Sequence, residues 1–480
     1  MHDKKLASYV NDIKNRLHHT ADFSYRTIKV NDHTIAIAYL SDLIDPLSLQ
    51  EVAVEPLLQM DKHEKMRHVI KSVSYTIIEK KEDLIANILE GHAILINLSQ
   101  NEVISVDVEQ VYERSPEEPE NEKVIRGSHQ GFVEELSTNI NLIRRRVRNE
   151  HMKIEYVSIG TETNTTIALI YMDNIANSRT VNKIRRKLDT LCTDMAFAPG
   201  YIEDGLEEHP FSVFPQHLYT ERPDRVEAHL LEGRVAIMAE SSSDAIITPV
   251  SFPAFFQSPD DFHKRTYTGT MFRLLRMISF FGTLLFPALY IAIIGFHFEM
   301  IPNEMIALMK GSIETVPFPP FFEVLIMILT IELIREAGIR LPTPIGQTIG
   351  IVGGIIIGES VVTAGLVSNV VVIVIAITAI MSFTLPSYEM SNTIRLLSLP
   401  IMIASALFGF VGIVASFMLL FIHLCRLEIY GTPYLSPITP LDADGVKDTF
   451  IRLPSFFTKR RPKHVFPKEM ERVEREGEHK

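Results

Sequence analysis

The 480-residue sequence has only two cysteines, Cys192 and Cys425, and no tryptophan. Two cysteines so far apart exclude a disulfide framework and a paired-cysteine metal motif. Basic residues are outnumbered, with 47 Lys+Arg against 59 Asp+Glu, so we expect no general basic surface for nucleic acid. The N-terminus also lacks the apolar core of a signal peptide, which favours a cytoplasmic, reducing location for the N-terminal region.

Three catalytic or nucleotide-binding patterns are missing: the phosphate-binding loop G-x-x-x-x-G-K-[ST], the zinc motif H-E-x-x-H and the hydrolase motif G-x-S-x-G. We therefore expect a protein that is not an enzyme, with no catalytic residues, no cofactor and no metal. The triplet Arg144–Arg146 could bind nucleic acid or anionic lipid. A solvated helix face in an acidic domain is the interpretation we favour for it.

Charge is distributed unevenly along the chain. Residues 1 to about 265 carry charges throughout, whereas apolar runs dominate from Met271 to Cys425. This predicts an α+β soluble N-terminal region followed by an α-helical transmembrane domain. Short β-branched runs and helical spacings predict two α/β subdomains, at 1–115 and 125–255, with the transmembrane domain at 270–426 and a cytoplasmic tail at 427–480. In the first subdomain, "EKMRHVIKSVSYTIIEKKEDLIANILEG" predicts a helix that ends at Gly91.

The second half offers about five spans, since a spanning helix needs roughly 20 apolar residues. The last run, Ile394 to Cys425, is too long for one straight span and too short for two comfortable ones, so the parity stays open. Pro400 or the pair Gly409/Gly412 could break it. Positive charges cluster before the first span, after the second and behind the last, and the positive-inside rule places all three groups in the cytoplasm. That pattern favours a broken last segment.

The stretch "GQTIGIVGGIIIGES" repeats glycine every fourth residue, at Gly346, Gly350, Gly354 and Gly358. A dinucleotide-binding loop is excluded, because no two of the glycines are separated by one residue and no strand precedes them. On a helix, three overlapping G-x-x-x-G motifs form a ridge where another backbone can approach closely. The ridge could pack within one subunit or between subunits.

Another side of the same predicted helix forms a candidate pore face. It carries Thr348, Ile355, Glu359, Val362 and Leu366. Glu359 is the only acidic residue between Ile345 and Pro386, and a carboxylate inside a membrane faces protein or water by default. A ring of Glu359 side chains around a shared axis would attract cations. A buried, hydrogen-bonded or protonated Glu359 is the alternative.

A proline-rich elbow precedes the second span. Pro317, Pro319 and Pro320 cannot continue a helix and bias the residues before them to extended geometry, so they predict a rigid connection.

A charged cluster follows in the same span. Glu332, Arg335 and Glu336 share one helical face and could form a coupling ion-pair network at the membrane edge. Charges that snorkel independently at the interface are the alternative.

The region "VPFPPFFEVLIMILTIELIREAGIRLPTPIGQTIGIVGGIIIGESVVTAGLVS" closely resembles the hallmark region of the GerA family, the A subunits of bacterial spore germinant receptors. Similar strings occur at "TERPDRV", "GRVAI", "SPDDF" and "YLSPITP", and the likeness spans roughly residues 120 to 455. The resemblance implies a subunit of the spore inner membrane whose N-terminal region lies on the cytoplasmic side.

The resemblance also implies partners. These are a B subunit that resembles amino-acid transporters and carries the nutrient site, a C subunit that is a lipoprotein, further copies of this chain in an ion-conducting ring, and membrane lipid, but not nucleic acid. An accessory germination subunit like the paralogue SpoVAF, a non-conducting scaffold and a carrier that moves substrate itself are alternatives. A carrier predicts paired repeats, and we find no convincing internal repeat in the sequence.

Overall fold

The chain folds into two antiparallel five-stranded sheets followed by a set of long helices. The computed structural model describes residues 2–31, 33–70, 72, 75–110, 118–119, 121–191, 199–314, 316–454 and 459–472. Cys192 lies outside the described residues, and Cys425 is exposed.

The first sheet belongs to a unit that we call repeat 1. Its elements are α1 (His2–Arg16), β1 (Phe23–Val30), β2 (His33–Leu40), α2 (Pro46–Leu49), α3 (Glu55–Leu58), α4 (Met66–Val69), β3 (Tyr75–Ile77), α5 (Lys81–Leu89), β4 (His92–Asn97) and β5 (Glu102–Asp107), with a π-helix at Gln50–Val54. The strand order is β1-β2-β4-β5-β3, and apolar clusters cover both faces of the sheet. The single long helix predicted up to Gly91 is wrong, because β3 pairs with β5 inside that stretch. Pairing with a neighbouring strand overrides the local helical spacing there.

The second sheet belongs to repeat 2. Its elements are α6 (Leu136–Arg146), β6 (Met152–Ile159), β7 (Thr165–Met172), α7 (Ser178–Thr190), α8 (Pro199–Leu206), β8 (Leu218–Thr220), α9 (Pro223–Leu230), β9 (Val235–Ala239) and β10 (Ala245–Thr248). Its strand order, β6-β7-β9-β10-β8, is that of repeat 1 with each strand five places further along the chain.

Local geometry confirms that the two units are an internal repeat. The tripeptide Leu-Glu-Gly precedes β4 and recurs before β9, and its glycines, Gly91 and Gly233, have φ values of 88° and 92°. A left-handed φ is accessible to glycine without steric cost, so the backbone leaves the preceding helix in the same way in both repeats. The side chains of Asp45 and Asn177 cap the helix that follows the second strand of each unit. The structure thus shows a repeat in the soluble region that the sequence search did not find.

The two repeats meet where the turn before β1 contacts β6, and there the backbone N–H of Ala21 donates to the carbonyl of Ile154 at 2.9 Å. Beside this contact Arg144 donates to both carboxylate oxygens of Asp22, at 2.9 and 3.0 Å, and neither side chain is exposed. The expectation of a solvated face for the arginine triplet is therefore wrong for Arg144. A buried guanidinium requires a paired carboxylate, and Asp22 comes from the other repeat.

The helical region follows repeat 2. It comprises α10 (Asp260–His263), α11 (Thr266–Phe296), α12 (Asn303–Ile313), α13 (Pro320–Arg340), α14 (Thr343–Thr363), α15 (Asn369–Phe383), α16 (Tyr388–Phe408) and α17 (Phe410–Arg426), then β11 (Glu428–Ile429), β12 (Thr432–Pro433) and α18 (Ala443–Phe450), with short 3₁₀ helices at Phe252–Phe256, Phe298–Met300 and Lys463–Val465. Among the described residues, α11 and α16 are long and apolar enough to cross a membrane. The prediction of about five spans is not confirmed by this criterion.

Contacts between helix ends show that six helices alternate in direction. Ser368, the cap of α15, lies at the start of α13, where the carboxylate of Glu323 accepts from its backbone N–H. It also lies near the end of α11, where the hydroxyl of Tyr290 is 3.2 Å from Oγ of Ser368. At the opposite end, Ser391 of α16 donates to the carbonyl of Ser382 in α15. The series α11, α13, α14, α15, α16 and α17 therefore runs back and forth, and its even number returns the chain to the side of repeat 2.

The last apolar run is broken, as predicted, and the break lies at Gly409. This residue has a φ of 59° and separates α16 from α17, whereas Pro400 lies inside α16. The two helices then pack so closely that a Cβ at Gly412 would overlap the carbonyl of Ala404. The glycine pair thus forms a tight helical hairpin.

Candidate functional site

The glycine ridge lies on α14 and is only partly covered. A Cβ at Gly346 would come within 2.8 Å of the carbonyl oxygen of Gly338, so α13 and α14 approach each other there as only glycine allows. Among the described residues, no atom outside the helix's own nearby backbone lies within 4 Å of a Cβ placed at Gly350, Gly354 or Gly358. The first glycine packs within the chain, whereas the other three form an open groove on its surface.

The candidate pore face lies on the same helix. The side chains of Thr348, Ile355 and Glu359 are exposed, and that of Val362 is half-buried. Helix α14 ends at Thr363, which places Glu359 about 6 Å from the helix end at 1.5 Å per residue rather than at its middle. Leu366 lies beyond the helix, after Gly365 turns the chain with a φ of 68°, and so does not share the face.

The three prolines of the elbow lie just before and at the start of α13. Pro317 and Pro319 lie outside helices, and Pro320 is the first residue of α13. Proline at this position is favoured because its fixed φ suits the first turn and its missing N–H would have no partner there. The elbow thereby fixes where α13 begins, one turn before Glu323.

Glu323 is a site residue that the sequence did not identify. Its side chain is fully buried, and Oε2 accepts from the backbone N–H of Ser368 at 2.9 Å. A carboxylate at the N-terminus of α15 complements the positive end of the helix dipole. The elbow is therefore connected through α13 to the start of α15.

The charged cluster is divided differently from the prediction. Glu332 pairs with Arg335 and also lies 3.7 Å from Nε of Arg395 in α16. Glu336 is not part of this network, because it pairs with Arg340 at 2.6 Å and both of these side chains are exposed. Arg395 was missed, although a lone arginine at the start of a long apolar run is a signal that a partner lies nearby.

The three charged groups line a small cavity of about 40 Å³ between α11, α13, α15 and α16. Four hydroxyl side chains complete its polar wall: Thr283, Thr378, Ser382 and Ser398. Most of the remaining lining is apolar, and the four hydroxyls donate to backbone carbonyls of their own helices, so the charged groups of Glu332, Arg335 and Arg395 are the cavity's distinctive feature.

Repeat 2 contacts the start of α16 and the end of α17. The hydroxyl of Thr393 in α16 donates to the carbonyl of Val213 at 2.9 Å, and Oγ of Ser212 lies 3.0 Å from Nε2 of His423 in α17. The loop between α8 and β8 therefore holds the start of α16 and the end of α17 together. Since Thr393 lies two residues from Arg395, the soluble region is directly connected to the cavity.

An acidic group of side chains lies on the repeat 2 side of this joint. The phenol of Tyr219 donates to Glu203 at 2.7 Å. Burial, together with the charges of Glu203 and Asp204, raises the pKa of Glu207 to about 7. Burial beside Glu221 and Glu122 raises the pKa of Asp244 to about 6. In the described part of the chain, no group of three or more His, Cys, Asp or Glu side chains could hold a metal ion.

Comparison with known proteins gives consistent matches over most of the chain. A family model described as Bacillus/Clostridium GerA spore germination protein matches residues 11–464. The chain is 36% identical over 471 residues to spore germination protein KA of Bacillus subtilis (strain 168), covering 96% of this chain and 86% of that protein. It is also 36% identical over 479 residues to spore germination protein B1 of the same strain, covering 97% and 98%.

A solved structure matches about half of the chain. It is the N-terminal domain of the A subunit of the Bacillus megaterium spore germinant receptor GerK3, with 26% sequence identity and a TM-score of 0.39. The match covers 51% of this chain and 94% of that one.

Proposed function

Since the chain belongs to the GerA family of Bacillus/Clostridium spore germination proteins, we propose that it is the A-type membrane subunit of a spore germinant receptor and that its copies assemble into a nutrient-gated ion channel. The observation that carries this proposal is the open glycine groove on α14 beside an exposed carboxylate, Glu359. An exposed carboxylate on a membrane helix is unfavourable against lipid, and an aqueous axis shared by several copies would hydrate it.

Assembly through the groove is supported by its chemistry. Gly350, Gly354 and Gly358 leave the backbone of α14 accessible, and small residues at this spacing let a neighbouring helix approach closely. A second copy of the chain is the proposed occupant, with α14 contributed by each subunit to the ring. Glu359 would then line the mouth of the pore at the end away from repeat 2.

Gating is proposed to pass through the helical region from one end to the other. At the far end, the elbow at Pro317–Pro320 sets α13, whose Glu323 binds the start of α15. Near repeat 2, Glu332 links Arg335 of α13 with Arg395 of α16. Movement of α13 by a nutrient-binding partner would change both contacts together. The proposed coupling cluster therefore contains Glu332, Arg335 and Arg395, and not Glu336.

The proposed location is the spore inner membrane, with the soluble region on the cytoplasmic side. The predicted positive clusters support this orientation because Arg276 binds Asp261 beside repeat 2 and Arg461 binds the backbone of repeat 2. We propose receptor B and C subunits and membrane lipid as further partners, as the family resemblance implies.

Reconstitution of the purified chain into potassium-loaded liposomes, alone and with B and C subunits, tests the proposal. Nutrient-dependent cation efflux is expected, and Glu359→Gln should reduce its rate and cation selectivity. Glu304→Gln, which alters an exposed carboxylate outside α14, is the matched control. Liposomes that stay sealed with the complete, nutrient-saturated complex would contradict the channel and favour a scaffold.

A further inference from the structure

In repeat 1, the residues directly after β5 pack against the turn that follows β2. The N–H of Gln110 donates to the carbonyl of Leu43 at 2.9 Å, and that of Asp45 donates to Val108 at 2.9 Å. Between these two hydrogen bonds, Glu109 packs against Gly91, and its Cγ lies 3.0 Å from where a Cβ of Gly91 would be. Residues 108–110 therefore cover the corner between the second strand and the Leu-Glu-Gly turn.

Repeat 2 has the same corner but not the same covering chain. Ile175 lies three residues after β7, as Leu43 lies three residues after β2, and Gly233 corresponds to Gly91. Beyond β10, however, the chain leaves for the helical region, and the N–H of Phe252 donates to Tyr434 at 2.7 Å. The local sequence thus leaves the carbonyl of Ile175 without the neighbour that Leu43 has in repeat 1.

The C-terminal segment occupies this position instead. The N–H of Lys468 donates to the carbonyl of Ile175 at 2.8 Å, as Gln110 does to Leu43. The Cβ of the preceding residue, Pro467, lies 3.4 Å from where a Cβ of Gly233 would be. Glu109 has the corresponding position beside Gly91 in repeat 1. Two consecutive residues from the end of the chain therefore reproduce two consecutive residues of repeat 1.

Basic side chains fix the segment in place. Nε of Arg461 donates to the carbonyl of Leu231 at 2.9 Å, while its Nη1 donates to the carbonyls of Glu469 and Glu471 and so holds the segment as a hairpin. Nζ of Lys468 donates to the carbonyl of Asp173 at 2.6 Å. Hydrogen bonds from charged donors are stronger than neutral ones, and Arg461 is only 9% exposed.

We infer that residues 459–472 are an intramolecular ligand of repeat 2 and cover the corner beside its sheet that repeat 1 covers with its own residues 108–110. The segment follows α17, so it ties the end of the helical region to the soluble sheet. Its recognition surface consists of the carbonyls of Asp173, Ile175 and Leu231 with the Gly233 turn. The inference does not depend on ion conduction.

Hydrogen–deuterium exchange on the full chain in detergent tests this inference. A chain that ends at Pro454 is compared with one that ends at Arg472, so that only the shorter chain lacks the segment. Backbone amides at 173–177 and 229–235 should exchange about tenfold faster or more in the shorter chain, since local opening controls their exchange. Amides at 43–47 and 88–93, the equivalent corner of repeat 1, should be unchanged.

A synthetic peptide of residues 459–472 should restore the protection in the shorter chain. In the full-length chain, Arg461→Ala should reproduce the fast exchange, whereas Arg460→Ala, at an exposed neighbouring position, should not. Unchanged exchange at 173–177 after deletion would overturn the inference. It would be overturned equally if protection were lost to the same extent in both repeats and the peptide failed to restore it.

Discussion

Arg144 of the second repeat forms a two-point ion pair with Asp22 of the first, and solvent reaches neither side chain. The Oγ of Thr20 accepts a further hydrogen bond from Nη2 of Arg144, at 3.0 Å. The pair therefore joins the two repeats at the centre of their interface, where water cannot replace either partner.

Asp22→Asn should destabilise the soluble region strongly. Removing one charge of a buried pair leaves the other uncompensated, which typically costs about 3–5 kcal/mol. Arg145→Ala is the matched control, since Arg145 pairs with Glu109 at the surface and such pairs contribute about 1 kcal/mol or less. Denaturant unfolding followed by circular dichroism measures both variants. An equal, small effect of the two substitutions would contradict the central role of the Asp22–Arg144 pair.

The glycines of α14 should separate folding from assembly. A Cβ at Gly354 meets no described atom within 4 Å outside the nearby helix backbone, so Gly354→Leu should let the subunit fold while oligomers dissociate. Gly346→Ala should have the opposite effect, because its Cβ would meet the Gly338 carbonyl and overpacking typically costs about 1–3 kcal/mol. Native mass spectrometry gives the assembly state, and thermal unfolding gives the stability. Intact oligomers in Gly354→Leu would exclude the ridge as the contact between copies.

Much of this arrangement could be predicted because it depends on local pattern. Glycine periodicity predicts the ridge and the prolines predict the elbow, since both are properties of nearby residues in the sequence. Arg395 and Ser368 could not be placed in the same way, because their partners Glu332 and Glu323 lie on other helices and meet them only through the order of helix packing. The internal repeat was hidden by few shared residues and unequal loops, and the contact of Lys468 with Ile175 joins distant parts of the chain.

Arg395→Gln should uncouple nutrient binding from ion flux without preventing assembly. Glu332 keeps Arg335 as a partner in this variant, so the fold is retained, but the link between α13 and α16 is lost. Arg340→Gln is the control, because its pair with Glu336 is exposed. Nutrient-triggered efflux from liposomes should fall at least about tenfold in Arg395→Gln, corresponding to a coupling of roughly 1.4 kcal/mol. Wild-type efflux in this variant would remove Arg395 from the gating route.

The buried carboxyl of Glu207 should stabilise the soluble region more as the pH falls from 7 towards 4.5. The imidazoles of His217 and His229, whose pKa values burial lowers to about 3 and about 4, act in the opposite direction. Burial beside Glu203 and Asp204 raises the pKa of Glu207 from 4.5 in the unfolded chain to about 7, so the folded state binds the proton more tightly. Folding is then favoured by protonation, and this contribution is lost as the pH rises through that window. Asp244, with a pKa raised to about 6 by burial, acts in the same direction.

Glu207→Gln should remove the contribution of Glu207, since glutamine does not titrate, so the melting temperature of the variant relative to wild type should increase as the pH rises from 4.5 to 7.5. Melting temperatures at several pH values between 4.5 and 7.5 measure the slope, and Glu162→Gln, at an exposed hairpin turn, should leave it unchanged. Below pH 4.5 the carboxyl of Glu207 is protonated in both the folded and the unfolded chain and no longer contributes to the slope. Burial alone would raise the pKa of Glu232, but His229, 3.6 Å away, and the charge of Arg234 outweigh it and lower the pKa to about 2. That carboxylate stabilises the fold only while it is ionised, so a continued rise in stability towards pH 3 would contradict its assignment as a paired anion.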